Sequence, residues 1–150
     1  MEKKEIKETV WLQAPVLWSQ LDVNMHLRHS AYADFAAQAR IALLLAKGLS
    51  FEEMARLEIG PVLFREETVY QREVRAGDEV RVTCSLRRVR KGGSRWSFSQ
   101  KIYRADDVLA ATVITEGAWI DTGKRKLTKL PEAFSGMFDD LERTEDFEEW

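Results

Sequence analysis

SAYADFAAQARIALLLAK, residues 30–47, reads as one long helix, and this reading decides the fold class. Ser30 or His29 can cap its start, and Gly48 can end it in the left-handed conformation. Only Asp34, Gln38, Arg40 and Lys47 interrupt a run that is otherwise apolar on nearly every side. A helix with that pattern belongs in the middle of a protein. Alanine at positions 31, 33, 36, 37, 39, 42 and 46 lets a sheet backbone come close. At about 1.5 Å per residue the segment would be roughly 27 Å long, enough to cross a small domain.

Outward from this helix the chain reads as strands. Ile6 to Ala14 alternates, with Val10, Leu12 and Ala14 sharing a face until Pro15 ends the run, and Leu21 to His29 is a polar loop. After Gly60 the pattern is a meander. It has a strand from Val62 to Val74, a turn at Ala76-Gly77-Asp78, and a strand from Glu79 to Arg90 with Val80, Val82, Cys84 and Leu86 on one face. The phase breaks at Arg87-Arg88, which predicts a bulge. Lys91-Gly92-Gly93-Ser94 closes a hairpin into a strand lined by Trp96, Phe98 and Ile102. Ala105-Asp106-Asp107 then turns the chain into Val108 to Ile120. From Pro131 onward a short helix at most is expected, running into an acidic, solubilising end between Asp139 and Glu149. With no repeat and no linker, residues 1–150 are expected to form a single α+β domain, a long central helix wrapped by an antiparallel sheet.

Composition narrows the function. A formal charge of −2 gives no electrostatic reason to expect nucleic acid or an anionic membrane as a partner. Cys84 stands alone, so no intrachain disulfide forms and a reducing compartment fits. Met1 to Glu8 is charged rather than apolar, unlike a signal peptide, and nowhere do eighteen apolar residues run together. A soluble cytoplasmic protein is the expectation.

The loop before the helix gathers Asp22, Asn24, His26, Arg28 and His29, including both histidines of the chain. A helix N-terminus presents unpaired N–H groups and the positive end of the dipole, so a developing oxyanion can be held there by amides already in place. A carboxylate a few residues upstream can reach the same point. Asp22 would then attack a carbonyl or activate a water while amides near His29 and Ser30 hold the oxygen. The bland alternative is that Asp22 only caps the loop and the histidines are surface residues.

The run from Asp22 through His29, Tyr32 and Phe35 to Arg40 resembles the signature of hotdog-fold acyl-CoA thioesterases of the 4-hydroxybenzoyl-CoA thioesterase type. In that family an Asp precedes by seven positions the residue that opens the central helix; a Tyr, a further aromatic and an Arg follow. His26 also matches the His-Val-Asn-Asn form found in related acyl-ACP thioesterases. Gly77-Asp78-Glu79-Val80, Gly92-Gly93-Ser94 and Leu130-Pro131 follow the family layout.

The resemblance implies Asp22 as nucleophile or general base, the His29 amide (with Ser30) as oxyanion site, and the His29 side chain as an aid to substrate orientation or thiolate departure. Met25, His26 and Tyr32 would meet the substrate. It implies no cofactor, since coenzyme A is part of the substrate, and a homodimer or homotetramer acting on acyl-CoA or acyl-ACP. Met25 departs from the family, where glycine is common; Arg28-His29 replaces the paired Asn of the acyl-ACP branch, and Ala37 replaces an acidic residue.

Rival readings remain. Asp22, His26 and His29 are a legal metal ligand set, though their spacing matches no structural zinc pattern. The same scaffold hosts dehydratases and non-catalytic binders of acyl thioesters. Arg87, Arg88, Arg90, Lys91 and Arg95 beside Trp96 resemble a nucleic-acid surface or, in the thioesterase reading, offer Arg90 and Lys91 to the phosphates of CoA.

Overall fold

The computed structural model describes residues 6–150; the first five residues of the charged N-terminal stretch lie outside the described residues. Its elements are β1 (Val10–Pro15), α1 (Ala31–Ala46), α2 (Phe51–Leu57), β2 (Ile59–Tyr70), β3 (Glu79–Thr83), β4 (Ser85–Val89), β5 (Arg95–Arg104), β6 (Leu109–Asp121), β7 (Lys126–Thr128) and β8 (Arg143–Glu149). Among the described residues the strands form an eight-stranded sheet whose main path is β1-β3-β5-β4-β8, with β6 also pairing β2, β5 and β7. No helix is long and apolar enough to cross a membrane among those residues.

The chain forms two compact units. The first takes the described residues up to Ala42 with Glu67–Cys84 and Gln100–Val113. Its core packs Ala31, Tyr32, Phe35, Ala36 and Ala39 of α1 with Val80, Val82, Ile102 and Val113 from the strands. Small alanines on the buried side let the helix lie close on the pleated surface, and each fully buried aliphatic contributes about 1.5–3 kcal/mol. Gln100 is fully buried yet satisfied: its amide donates to the Ala36 carbonyl at 2.9 Å and accepts from Arg40 Nη1 at 2.9 Å. Here β1 pairs β3 with Leu12 opposite Val82, and β3 pairs β5 with Val82 opposite Ile102.

Asp34, Ala37, Gln38, Leu45 and Ala46 of α1 are exposed in the single chain, so the helix is not enclosed all round as its composition predicted. The first strand is also shorter than expected, starting at Val10 rather than Ile6.

The second unit comprises Leu43–Glu66, Ser85–Ser99 and Ile114–Trp150. Trp96 stacks on Phe98, Phe98 meets Phe138 edge-on, and the buried Trp119 indole donates to the Gly93 carbonyl at 3.0 Å. Gly117 lets this packing close, because a β-carbon there would stand 2.4 Å from both the Trp96 ring and the Val62 carbonyl oxygen. The expected bulge is present as a register shift between Leu86 and Arg88. The hairpin glycines Gly92 and Gly93 both adopt positive φ, at 77° and 72°.

Three sequence expectations need correction here. The 79–90 strand divides at Cys84 into β3 and β4. Helix α2 was not anticipated, although Ser50 caps it by accepting from the Glu53 amide at 3.1 Å and acids fill its first turn. The short helix expected after Pro131 is present as one turn at Glu132–Phe134, but the acidic run is not a free end: β8 pairs parallel with β4, and the Trp150 amide extends the ladder to the Val89 carbonyl at 3.0 Å.

The reason for that last correction is charge complementarity. Arg88 pairs with Glu148 at 2.8 Å, Arg87 approaches Glu116 and Asp146 at 3.7 and 3.9 Å, and the Arg95 guanidinium lies 4.6 Å from the Trp150 ring centroid. Arginines 59 and 60 positions upstream in the chain (Arg87 for Asp146, Arg88 for Glu148) neutralise the acids, which a local reading of composition cannot see. Of the basic stretch, Arg87, Arg88 and Arg95 thus engage the tail, and the neighbouring Trp96 is buried.

Candidate active site

All the groups described next belong to the first unit. Asp22 sits at the start of a tight turn. Its amide donates to the His26 carbonyl at 2.8 Å, and its own carbonyl accepts from the Met25 amide at 3.1 Å. Its Oδ1 accepts from the amides of Asn24 at 2.9 Å and His26 at 3.2 Å. The carboxylate is therefore held from one side by its own loop, while Oδ2 takes no hydrogen bond from the described residues.

Met25, where glycine is common in the resembled family, takes the left-handed conformation with φ of 59°. That is the backbone geometry glycine adopts without strain, so the methionine keeps the turn at a cost of about 1 kcal/mol.

The loop is stitched to the segment after β2. The Leu27 amide donates to the Val74 carbonyl at 2.7 Å, and the Ala76 amide donates to the Met25 carbonyl at 3.1 Å. Arg28 braces the approach to the helix: its Nη1 donates to the Ser19 carbonyl at 2.6 Å and its Nε to the Ser30 hydroxyl at 3.0 Å. The amides of His29 and Ser30 have no acceptor among the described residues, as expected for the first N–H groups of a helix.

These elements border a cavity of about 330 Å³ lined by Asp22, His26, Leu27, His29, Tyr32, Tyr70, Gln71, Arg72 and Glu73. Tyr32 and Tyr70 meet edge to face at 5.1 Å and 85°, and the Tyr70 hydroxyl donates to the His29 carbonyl at 3.0 Å. Burial pushes the Tyr32 phenol up, and the nearby Asp22 charge acts in the same direction. Glu73 is held below the ordinary carboxylate range by its own backbone amide first, then by Arg75 at 2.9 Å, with His26 adding to the effect.

Of the residues singled out from the sequence, Asp22, His26, His29 and Tyr32 line this one cavity. Met25 and Ser30 are not among its lining residues; Met25 shapes the turn and Ser30 lies next along the chain from His29. Phe35 is buried in the core and Arg40 bonds Gln100, so these two matches to the family pattern hold the helix in place. Arg90 and Lys91 lie exposed on the hairpin of the second unit. Among the described residues no three His, Cys, Asp or Glu side chains gather as a metal site.

Tyr70, Gln71, Arg72 and Glu73 were missed by the sequence reading. They read as one more strand, and only the tertiary fold brings the end of that strand to the helix. A signal was present, since Gln71-Arg72-Glu73 is a polar interruption in the predicted Val62–Val74 run.

Comparison with known proteins follows the same lines. The model of the thioesterase-like superfamily matches residues 16–138, a span that includes the whole cavity. No curated protein matches the chain. Among solved structures, a hypothetical protein from Staphylococcus aureus in complex with CoA superposes with a TM-score of 0.82 at 21% identity, covering 94% of this chain and 90% of that one. A 1,4-dihydroxy-2-naphthoyl-CoA thioesterase from Synechocystis gives 0.76 at 17% identity, with 87% and 95% covered. A gentisyl-coenzyme A thioesterase gives 0.74 at 13% identity, with 85% and 98% covered. At these identities the likeness establishes the fold, which is the hotdog arrangement that the family resemblance of the Asp22 to Arg40 run implied.

Proposed function

The chain belongs to the thioesterase-like superfamily, and from that premise we propose that it hydrolyses an acyl-CoA to the free acid and the CoA thiol at the cavity beside Asp22. One observation carries this reading: Asp22 lines the same cavity as His29, the residue at the approach to the helix whose amide, like that of Ser30 beside it, has no acceptor among the described residues. That pairing is what acyl transfer needs, a base or nucleophile on one side of the carbonyl and preset donors for its oxygen on the other. Asp22 either adds to the thioester carbon or draws a proton from a water that does so. The negative oxygen of the tetrahedral intermediate is held by the amides of His29 and Ser30. Collapse breaks the carbon–sulfur bond, and a thiolate whose conjugate acid has a pKa of about 8.5 departs without strong acid help. Where Asp22 was the nucleophile, a water then hydrolyses the acyl–Asp22 anhydride to the free acid and restores the carboxylate.

The relatives lend support at the level of ligand class, since one was solved with CoA and two are named as CoA thioesterases. Arg90 and Lys91 are assigned in this reading to the CoA phosphates. A homodimer or homotetramer is part of the same proposal. It is supported by β2, which among the described residues pairs with β6 alone and leaves Leu63, Phe64, Val69 and Tyr70 exposed along its length. A cytoplasmic location belongs to the same proposal, since a sequence with one cysteine forms no intrachain disulfide and suits a reducing compartment.

The test is thiol release from a panel of acetyl-, hexanoyl-, palmitoyl- and benzoyl-CoA. Release from at least one supports hydrolysis. Binding of the panel without release assigns the cavity to a dehydratase or a non-catalytic binder on the same scaffold.

A further inference from the structure

We propose that Tyr70 is a positioning residue that sets the oxyanion-holding amides by gripping the peptide between His29 and Ser30; the inference rests on the hydrolytic reading above. The carbonyl of His29 and the N–H of Ser30 belong to one planar trans peptide, so a bond that fixes the first fixes the direction of the second. The Tyr70 hydroxyl supplies that bond at 3.0 Å. The same plane sets ψ of His29, and with it the angle between the two successive amides. Donation to the carbonyl also polarises the peptide, which makes its N–H a stronger donor toward a developing oxyanion.

Tyr70 is suited to the role by what holds it. Its ring abuts Tyr32, on the first turn of α1, at 5.1 Å and 85°, and Tyr32 is buried in the core. Directly after it, the Gln71 and Arg72 amides both donate to the Ala110 carbonyl, at 2.8 and 3.0 Å, so the end of β2 is pinned to its neighbour. Tyr70 thus touches the helix start twice, through its ring and through its hydroxyl. On the opposite side Arg28 braces the same turn through Ser19 and Ser30.

The test is Tyr70→Phe, which keeps the ring and its contact with Tyr32 and removes only the donor. With the acyl-CoA that the wild type turns over fastest, kcat is expected to fall about three- to tenfold with KM unchanged. That is a fraction of the 10²–10³ lost when an oxyanion donor is itself removed. In the Asp22→Asn background, used to hold the substrate uncleaved, the thioester carbonyl stretch of the bound acyl-CoA is expected to move back toward its value in water when Tyr70→Phe is added. An active wild type with a Tyr70→Phe kcat within threefold, or an unmoved carbonyl stretch, overturns this inference and leaves hydrolysis standing. A wild type that releases no thiol overturns both. A lowered kcat accompanied by an equal rise in KM and a lost thermal transition would mark Tyr70 as merely structural, and would also overturn it.

Discussion

Replacing Gly117 with alanine adds one methyl group where the second unit has no room for it. Its β-carbon would stand 2.4 Å from the Trp96 ring and 2.4 Å from the Val62 carbonyl oxygen, about an ångström inside ordinary contact. Neither neighbour yields readily. Trp96 is 3% exposed and stacked on Phe98 at 5.1 Å, and the Val62 oxygen is backbone of a paired strand. Overpacking of this kind costs about 2–3 kcal/mol. In a chain of 150 residues that lowers the melting temperature by about 4 to 12 °C, read by circular dichroism. Gly60→Ala is the control, because its β-carbon meets only the Thr122 methyl at 3.7 Å, and its melting temperature is expected to match or slightly exceed the wild type. If Gly117→Ala melts within 2 °C of Gly60→Ala, the packing described around Trp96 is wrong.

Two further outcomes follow from other parts of the molecule. Met25→Val puts a β-branched residue at a φ of 59°, so it should destabilise by about 1 kcal/mol or more and slow thiol release, whereas Met25→Gly should preserve both; equal behaviour of the two would refute the left-handed turn. Asp106 is held below the usual carboxylate range foremost by its hydrogen bonds from Arg104, at 3.0 and 2.7 Å, so its contribution to stability is present above the unfolded value near 3.9 and is lost as pH falls through the lower folded value. Melting curves from pH 7 down to pH 2.5 should show Asp106→Asn less stable than wild type at neutral pH and converging with it at the acid end, and a constant gap would refute the pairing.

How much of this was legible in the sequence depends on the range of the interactions. Helix α1 lies within one residue of its expected bounds, because its caps and its apolar run are local. The hairpin at Gly92-Gly93 and the bulge near Arg87 were legible for the same reason: glycine placement and a phase slip are properties of neighbouring residues. The β8 strand was not, because its partners are arginines on β4 and β5 that no window of local sequence contains. In the site, Asp22, His26 and His29 announced themselves by crowding polarity into one loop. Tyr70 and Glu73 did not, since each looks like an ordinary residue of a strand until the fold carries it to the helix start.

The account depends most on Asp22 acting on a thioester, and single-turnover hydrolysis of a bound acyl-CoA by wild type and Asp22→Asn tests that most directly. The account predicts that the Asn variant binds the acyl-CoA as tightly as wild type and cleaves it about 10²–10⁴ times more slowly. Cleavage by Asp22→Asn within tenfold of the wild-type rate would contradict it.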